Sequence, residues 1–231
     1  MLHSLRGRLI VSCQAYPGEP LRDPEAMALI AQSAVIGGAA AIRAQGLEDI
    51  RAIARRVTVP QIGLWKVGAE GVFITPTLEH AIAVADAGAD IVAIDGTRRD
   101  RPDGRTLTET IRELKQQRPD LLVMADAGGV DDALWSEDAG ADIVGTTLAG
   151  YTGERPRTDG PDLDLVRTLS GRLRVPLFAE GRIHTPDQAR AALNAGAYSV
   201  VVGTAITHPA TITSWYVDAL AQENALVATD R

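Results

Sequence analysis

Four times in this sequence a small-residue stretch runs straight into an apolar one. The instances are VIGGAAAIRA around Gly38, DAGADIVAID around Gly88, DAGADIVGTT around Gly140 and NAGAYSVVVGT around Gly196. Each reads as a helix end, a Gly-Ala turn and then a strand of the buried type. The four glycines lie 50, 52 and 56 residues apart, a period that suits two βα units, so four periods make eight. The intervening strands fall at Leu9–Ser12, Gln61–Trp65, Leu121–Ala125 and Pro176–Ala179. Eight strands alternating with helices predict an α/β fold, a (β/α)8 TIM barrel, in a single domain over residues 1–231. A doubly wound sheet is the rival, but it offers no reason for the fourfold echo. The segment 150–161 is the longest without a helix or strand pattern, and long loops at a barrel's catalytic face often act as lids.

The last repeat shows how the chain builds a site. Pro176–Ala179 is a short strand broken by Glu180-Gly181-Arg182. Thr185-Pro186 supplies a cap and a first-turn proline for the next helix, and Ser199–Val202 is a strand closed by Gly203-Thr204. A right-handed βαβ unit sets both strand ends at one edge, so a carboxylate lies beside bare backbone N–H groups. Phosphate suits the glycine end.

The same edge gathers Cys13-Gln14, Arg43, Lys66, Asp95, Asp126 and Thr146-Thr147. These are polar residues at the C-terminal ends of apolar runs, where barrel active sites form. Lys66 follows QIGLW, and desolvation with Arg43 nearby would lower its pKa and make it a base or a Schiff-base nucleophile. Glu180 is an acid/base candidate or orients Lys66; a carboxylate close by would act on the lysine in the opposite sense. Asp126 orients Lys66 or a hydroxyl, and Gln14 and Arg43 offer donors where oxyanion charge develops. Asp95 serves the site or its own turn. Cys13 has no histidine near it in sequence and reads as packing.

Composition closes off other classes. A formal net charge of −7, with no Lys/Arg run, argues against a nucleic-acid surface. His3, His80, His184 and His208 show no metal-ligand spacing, so no metal is expected. One cysteine excludes an internal disulfide and fits a reducing compartment. No segment is apolar enough for a signal peptide or a membrane span, which predicts a cytoplasmic protein.

These residues resemble a family. SCQAYPGEPL, GGAAAIRAQGLEDI, VFITPT, LVMADAGG, FAEGRIHTPDQA and VVVGTAITHP are similar to motifs of the N-acetylmannosamine-6-phosphate 2-epimerases of bacterial sialic-acid catabolism, over about Gly7 to Trp215. The resemblance implies a barrel enzyme that interconverts N-acetylmannosamine 6-phosphate and N-acetylglucosamine 6-phosphate without a cofactor, and a homodimer. It implies Lys66 as the proton-transferring base, with Glu180 and Asp126 as the family's other acidic residues. Gln14 and Arg43 then contact the sugar, and backbone N–H groups around Gly181-Arg182 and Gly203-Thr204 hold the phosphate. Two departures stand out. The family usually has an arginine clamping the phosphate where this chain has His208, with Arg182 a partial substitute. It also commonly continues the lysine strand as IKRDY, where this chain reads WKVGAE.

Overall fold

The computed structural model describes residues 1–229, with side chains through position 221. Eight parallel strands close on themselves in chain order: β1 Leu9–Cys13, β2 Ala41–Gln45, β3 Gln61–Leu64, β4 Ile91–Asp95, β5 Leu122–Asp126, β6 Ile143–Gly145, β7 Leu177–Glu180 and β8 Ser199–Val202. Helices follow them: α1 Pro24–Ile36, α2 Leu47–Ala54, α3 Leu78–Asp86, α4 Leu107–Gln117, α5 Val130–Asp138, α6 Leu163–Ser170, α7 Pro186–Asn194, the single turn α8 Thr204–Thr207 and α9 Pro209–Thr229. The TIM barrel expected from the repeat is therefore the architecture, and closure excludes the doubly wound sheet. The strands differ from their expected bounds by a residue at most. None of the described helices is long and apolar enough to cross a membrane.

The repeat has a backbone cause. Gly38, Gly88, Gly140 and Gly196 adopt φ of +100°, +111°, +99° and +105°, and each ends a helix before an even-numbered strand. A side chain is strained in that left-handed region, so glycine recurs where the chain leaves a helix. Helix starts are equally local. Asp23, Thr77, Asp162 and Thr185 each accept a backbone N–H from the first turn with their side chains, and Thr106 with Glu109 forms a full capping box.

Strand alternation divides the core in two. Ile10, Ile62, Leu64, Ile91, Ala93, Met124, Ile143, Phe178 and Val201 point inward and fill the barrel, with Leu5 of the N-terminal turn closing its lower end. Val11, Ile42, Val92, Ile94, Val123 and Ala125 point outward against the helices. Gly63 also faces outward, where a Cβ would lie 2.6 Å from Ala89 Cβ and 2.8 Å from Val84 Cγ1. Two residues beyond the inward apolar layer, the same period brings Ser12, Arg43, Lys66, Asp126, Glu180 and Gly203 to the barrel's upper end.

The β3–β4 seam departs from a plain ladder. These strands pair at only two positions, and the segment after β3 folds back between them. Lys66 bridges Ile74 antiparallel, Val67 N–H donates to Phe73 O at 2.9 Å, and Thr75 N–H donates to Trp65 O at 2.8 Å. Asp95 N–H then donates to Ile74 O at 2.9 Å. Lys66 thus sits in a short sheet and not on a free loop.

Candidate active site

The upper ends of the strands surround a cavity of about 590 Å³. Gln14, Arg43, Lys66, Glu180, Gly181, Arg182, Gly203, Thr204 and His208 all line it. So do Ser12, Tyr16, Thr147, Tyr151 and His184.

Arg43 is the hub. Its side chain is 1% exposed, donates to both carboxylate oxygens of Asp126 at 3.1 and 2.6 Å, and lies 2.9 Å from Glu180 Oε2. Thr147 Oγ1 lies 2.6 Å from Asp126 Oδ1 and 3.1 Å from Glu180 Oε2. One hydroxyl proton can serve only one of the two carboxylates, and one guanidinium cannot neutralise both. Burial, with Asp126 adding its charge, pushes the Glu180 carboxyl up to about 7 against the pull of Arg43. Arg43 Nε is buried without a hydrogen-bond partner among the described residues.

Lys66 Nζ donates to Gln14 Oε1 at 2.8 Å, and Gln14 Nε2 donates to Ser12 Oγ at 2.8 Å. The amine also lies 5.8 Å from the centre of the Tyr16 ring. Desolvation and then the Arg43 charge hold Lys66 below the ordinary lysine value, outweighing the opposing pull of Glu180 and Asp126. The competition that composition leaves open is decided toward the neutral amine.

At the other side of the cavity, His208 is 4% exposed and its Nδ1 lies 3.2 Å from Glu19 Oε1. Its ring tilts against Tyr16 at 5.0 Å. Glu19 is held ionised mainly by the Tyr16 backbone N–H, which donates to it at 2.7 Å. His184 packs on Trp215 of α9 at 4.9 Å.

Some expected residues do other work. Asp126 is fully buried behind the cavity wall and makes no hydrogen bond to Lys66; it grips Arg43 and accepts from the Thr147 hydroxyl at 2.6 Å. Asp95 accepts from Thr97 N–H at 2.9 Å and from Arg99 Nη2 at 2.8 Å, so it braces its own loop. Arg182 makes no ion pair with Glu180; its guanidinium points into the 149–160 loop. Cys13 is buried and its thiol is pushed up to about 12, chiefly by desolvation, as a packing residue's would be. The residues missed by sequence reasoning, Tyr16, Glu19 and Tyr151, lie in loops without period. Their only signal is an aromatic or acidic side chain in a turn-rich stretch.

The comparisons agree with this geometry. The family described as "Putative N-acetylmannosamine-6-phosphate epimerase" matches residues 27–222. A Cutibacterium acnes protein named "Putative N-acetylmannosamine-6-phosphate 2-epimerase" is 60% identical over 95% of this chain and 96% of its own length. One of the same name from Caldanaerobacter subterraneus subsp. tengcongensis is 49% identical over 94% of this chain and 92% of its own. The solved structure of the N-acetylmannosamine-6-phosphate 2-epimerase from Clostridium perfringens superposes with a TM-score of 0.90 at 37% identity, covering 94% of this chain and 95% of that one. Similarity over nearly the whole length means that the chain belongs to the N-acetylmannosamine-6-phosphate epimerase family.

Proposed function

We propose that this protein interconverts N-acetylmannosamine 6-phosphate and N-acetylglucosamine 6-phosphate, needs no cofactor, and works through the Lys66 amine. The observation that carries the reading is a buried amine, held below its usual pKa, in a cavity that also holds donors and a carboxyl near neutrality. In the open-chain sugar, C2 lies next to the C1 aldehyde, so loss of its proton gives a stabilised enolate. Neutral Lys66 takes that proton from one face and returns it to the other after the intermediate reorients. Gln14 and Arg43, both lining the cavity, supply donors to the developing oxyanion, and such a donor contributes roughly 3–4 kcal/mol when preorganised. Glu180 exchanges a proton with the sugar oxygens, and Asp126 fixes Arg43 so that the charge pattern cannot drift. The phosphate rests on backbone N–H groups of Gly181, Arg182, Gly203 and Thr204, with His208 beside them. The working unit is a homodimer.

Running the reaction in D2O tests this. Deuterium should enter C2 of both sugars with wild-type protein, and Lys66→Ala should stop it while sugar-phosphate binding stays measurable. Exchange at a near wild-type rate in Lys66→Ala would remove the lysine from the mechanism. A second reading, an epimerase for a non-phosphorylated amino sugar, is favoured by His208 standing where the resemblance expects an arginine. Turnover of N-acetylmannosamine with and without its 6-phosphate separates the two.

A further inference from the structure

The segment between β6 and α6 contributes Tyr151 to the cavity wall, and one side chain from outside the segment bonds to it at both ends. Arg182 Nη1 donates to Ala149 O at 2.9 Å, Nε donates to Gly160 O at 3.2 Å, and Nη2 donates to Thr158 Oγ1 at 3.1 Å. The three bonds span both ends of the loop. Thr158 Oγ1 itself donates to Gly160 O at 2.6 Å, so the C-terminal end is a single hydrogen-bonded unit. The guanidinium also lies 5.4 Å from the centre of the Tyr151 ring, and Arg157 lies 5.3 Å from the same ring. Tyr151 is both 53% exposed and part of the cavity wall, which places it at the mouth. To reach this position Arg182 adopts φ +55°, a conformation that costs a non-glycine residue free energy and persists only where the surroundings fix it. Within the segment, Arg155 donates to both carboxylate oxygens of Asp162 at 2.6 and 3.0 Å, which anchors it to the start of α6 but not to the cavity wall. Glu154 pairs with Arg98 at 2.7 Å on the exposed side, and Thr152 lies over Gly128, where a Cβ would fall 2.2 Å from its Oγ1.

We propose that the Arg182 side chain is a latch: it holds the 149–160 loop closed with Tyr151 across the cavity mouth, and its guanidinium positions the loop for the reaction and does not bind the phosphate, which meets only the backbone N–H of this residue. Nε and one N–H on each terminal nitrogen donate to the loop, so three of the five guanidinium donors, and with them the direction of the head group, are committed there. Closure over the cavity keeps water from the enolate and retains the substrate between proton removal and proton return. This consequence rests on the proposed epimerase reaction, whereas the latch itself does not.

The test therefore has two arms. In the ligand-free protein, hydrogen–deuterium exchange of the 150–160 amides should speed up by on the order of tenfold in Arg182→Ala, with the strand amides unchanged. Thr158→Val, which removes one partner and leaves the arginine, should show a smaller rise in the same amides. Unaltered protection of the loop in both variants overturns the latch whatever the protein catalyses. In the second arm, Arg182→Ala should raise KM for N-acetylmannosamine 6-phosphate about tenfold and increase the share of solvent hydrogen in the product, while inhibition by inorganic phosphate moves less than about twofold. A parallel tenfold loss of inorganic phosphate inhibition would make Arg182 a phosphate ligand and end the proposal. If no variant or wild type turns the sugar over, the reaction is wrong and the exchange arm still decides the latch.

Discussion

Lys66 and Glu180 share a buried site that cannot hold every charge at once. Burial, with the Asp126 charge adding to it, raises the Glu180 carboxyl to about 7 from 4.5 against the pull of Arg43. Such a carboxyl binds a proton in the folded state that the unfolded chain has already lost. Stability from this group is therefore full below about pH 4.5 and is lost as pH rises to about 7. Glu180→Gln does not titrate, so its melting temperature relative to wild type should increase between pH 5 and pH 8. A difference that stays flat would mean Glu180 is ionised throughout. The lowered lysine acts on rate instead: kcat/KM should climb with pH at an inflection below 10.5, and Gln14→Leu, which strips the amine of its acceptor, should move that inflection. At position 208 the ring is held by Glu19 and Tyr16 and presents no permanent charge. His208→Arg should tighten the phosphorylated sugar by about 1 kcal/mol in a calorimetric titration, the scale of one charge-assisted hydrogen bond. Unchanged or weaker affinity would place the phosphate elsewhere.

Among the elements, β3 carries the candidate base on a short stretch of sheet. It is four residues long, pairs with β4 at two positions, and is completed by the returning 73–75 segment that braces Lys66. Its outer face packs tightly through Gly63, which admits α2 and α3 to close approach. Gly63→Ala would drive a methyl into Ala89 and Val84, neither of which has a flexible end to swing away. Overpacking of this kind costs about 1–3 kcal/mol, so the denaturant midpoint should fall with an unchanged m-value. Because Lys66 is three residues further along the same strand, kcat should fall as well. An alanine variant of wild-type stability would show that the α2–α3 contact relaxes freely.

Across the whole molecule, what could be read in advance was whatever repeats. The left-handed glycines recur because every second helix ends in the same way, and the period-2 strands set the polar residues at one end of the barrel, so the fold and most of the cavity wall follow from spacing. Pairings between distant loops do not. Nothing local in LVMAD tells Asp126 to grip Arg43 from behind the wall, and nothing in AEGRI sends the Arg182 guanidinium to the β6–α6 loop. The same limit applies to the outer surface. Around the barrel, neighbouring helices pack from α1 through α7, whereas α9 packs chiefly on α8, with Trp215 touching His184. Tyr216, Val217 and Leu220 of α9 are left 70%, 58% and 64% exposed, and a groove of about 490 Å³ beside α1 is lined by Leu29, Ile30, Ala34 and Ile206. In the homodimer proposed above, a second copy docked on α9 would cover these side chains. Val217→Asp combined with Leu220→Asp should therefore turn a dimer into a monomer in sedimentation equilibrium. Since Trp215 braces a cavity-lining histidine, the same double variant should also lose activity on dilution that wild type keeps. Sedimentation of the wild-type chain as a monomer at micromolar concentration would leave α9 with no partner and this assembly without support.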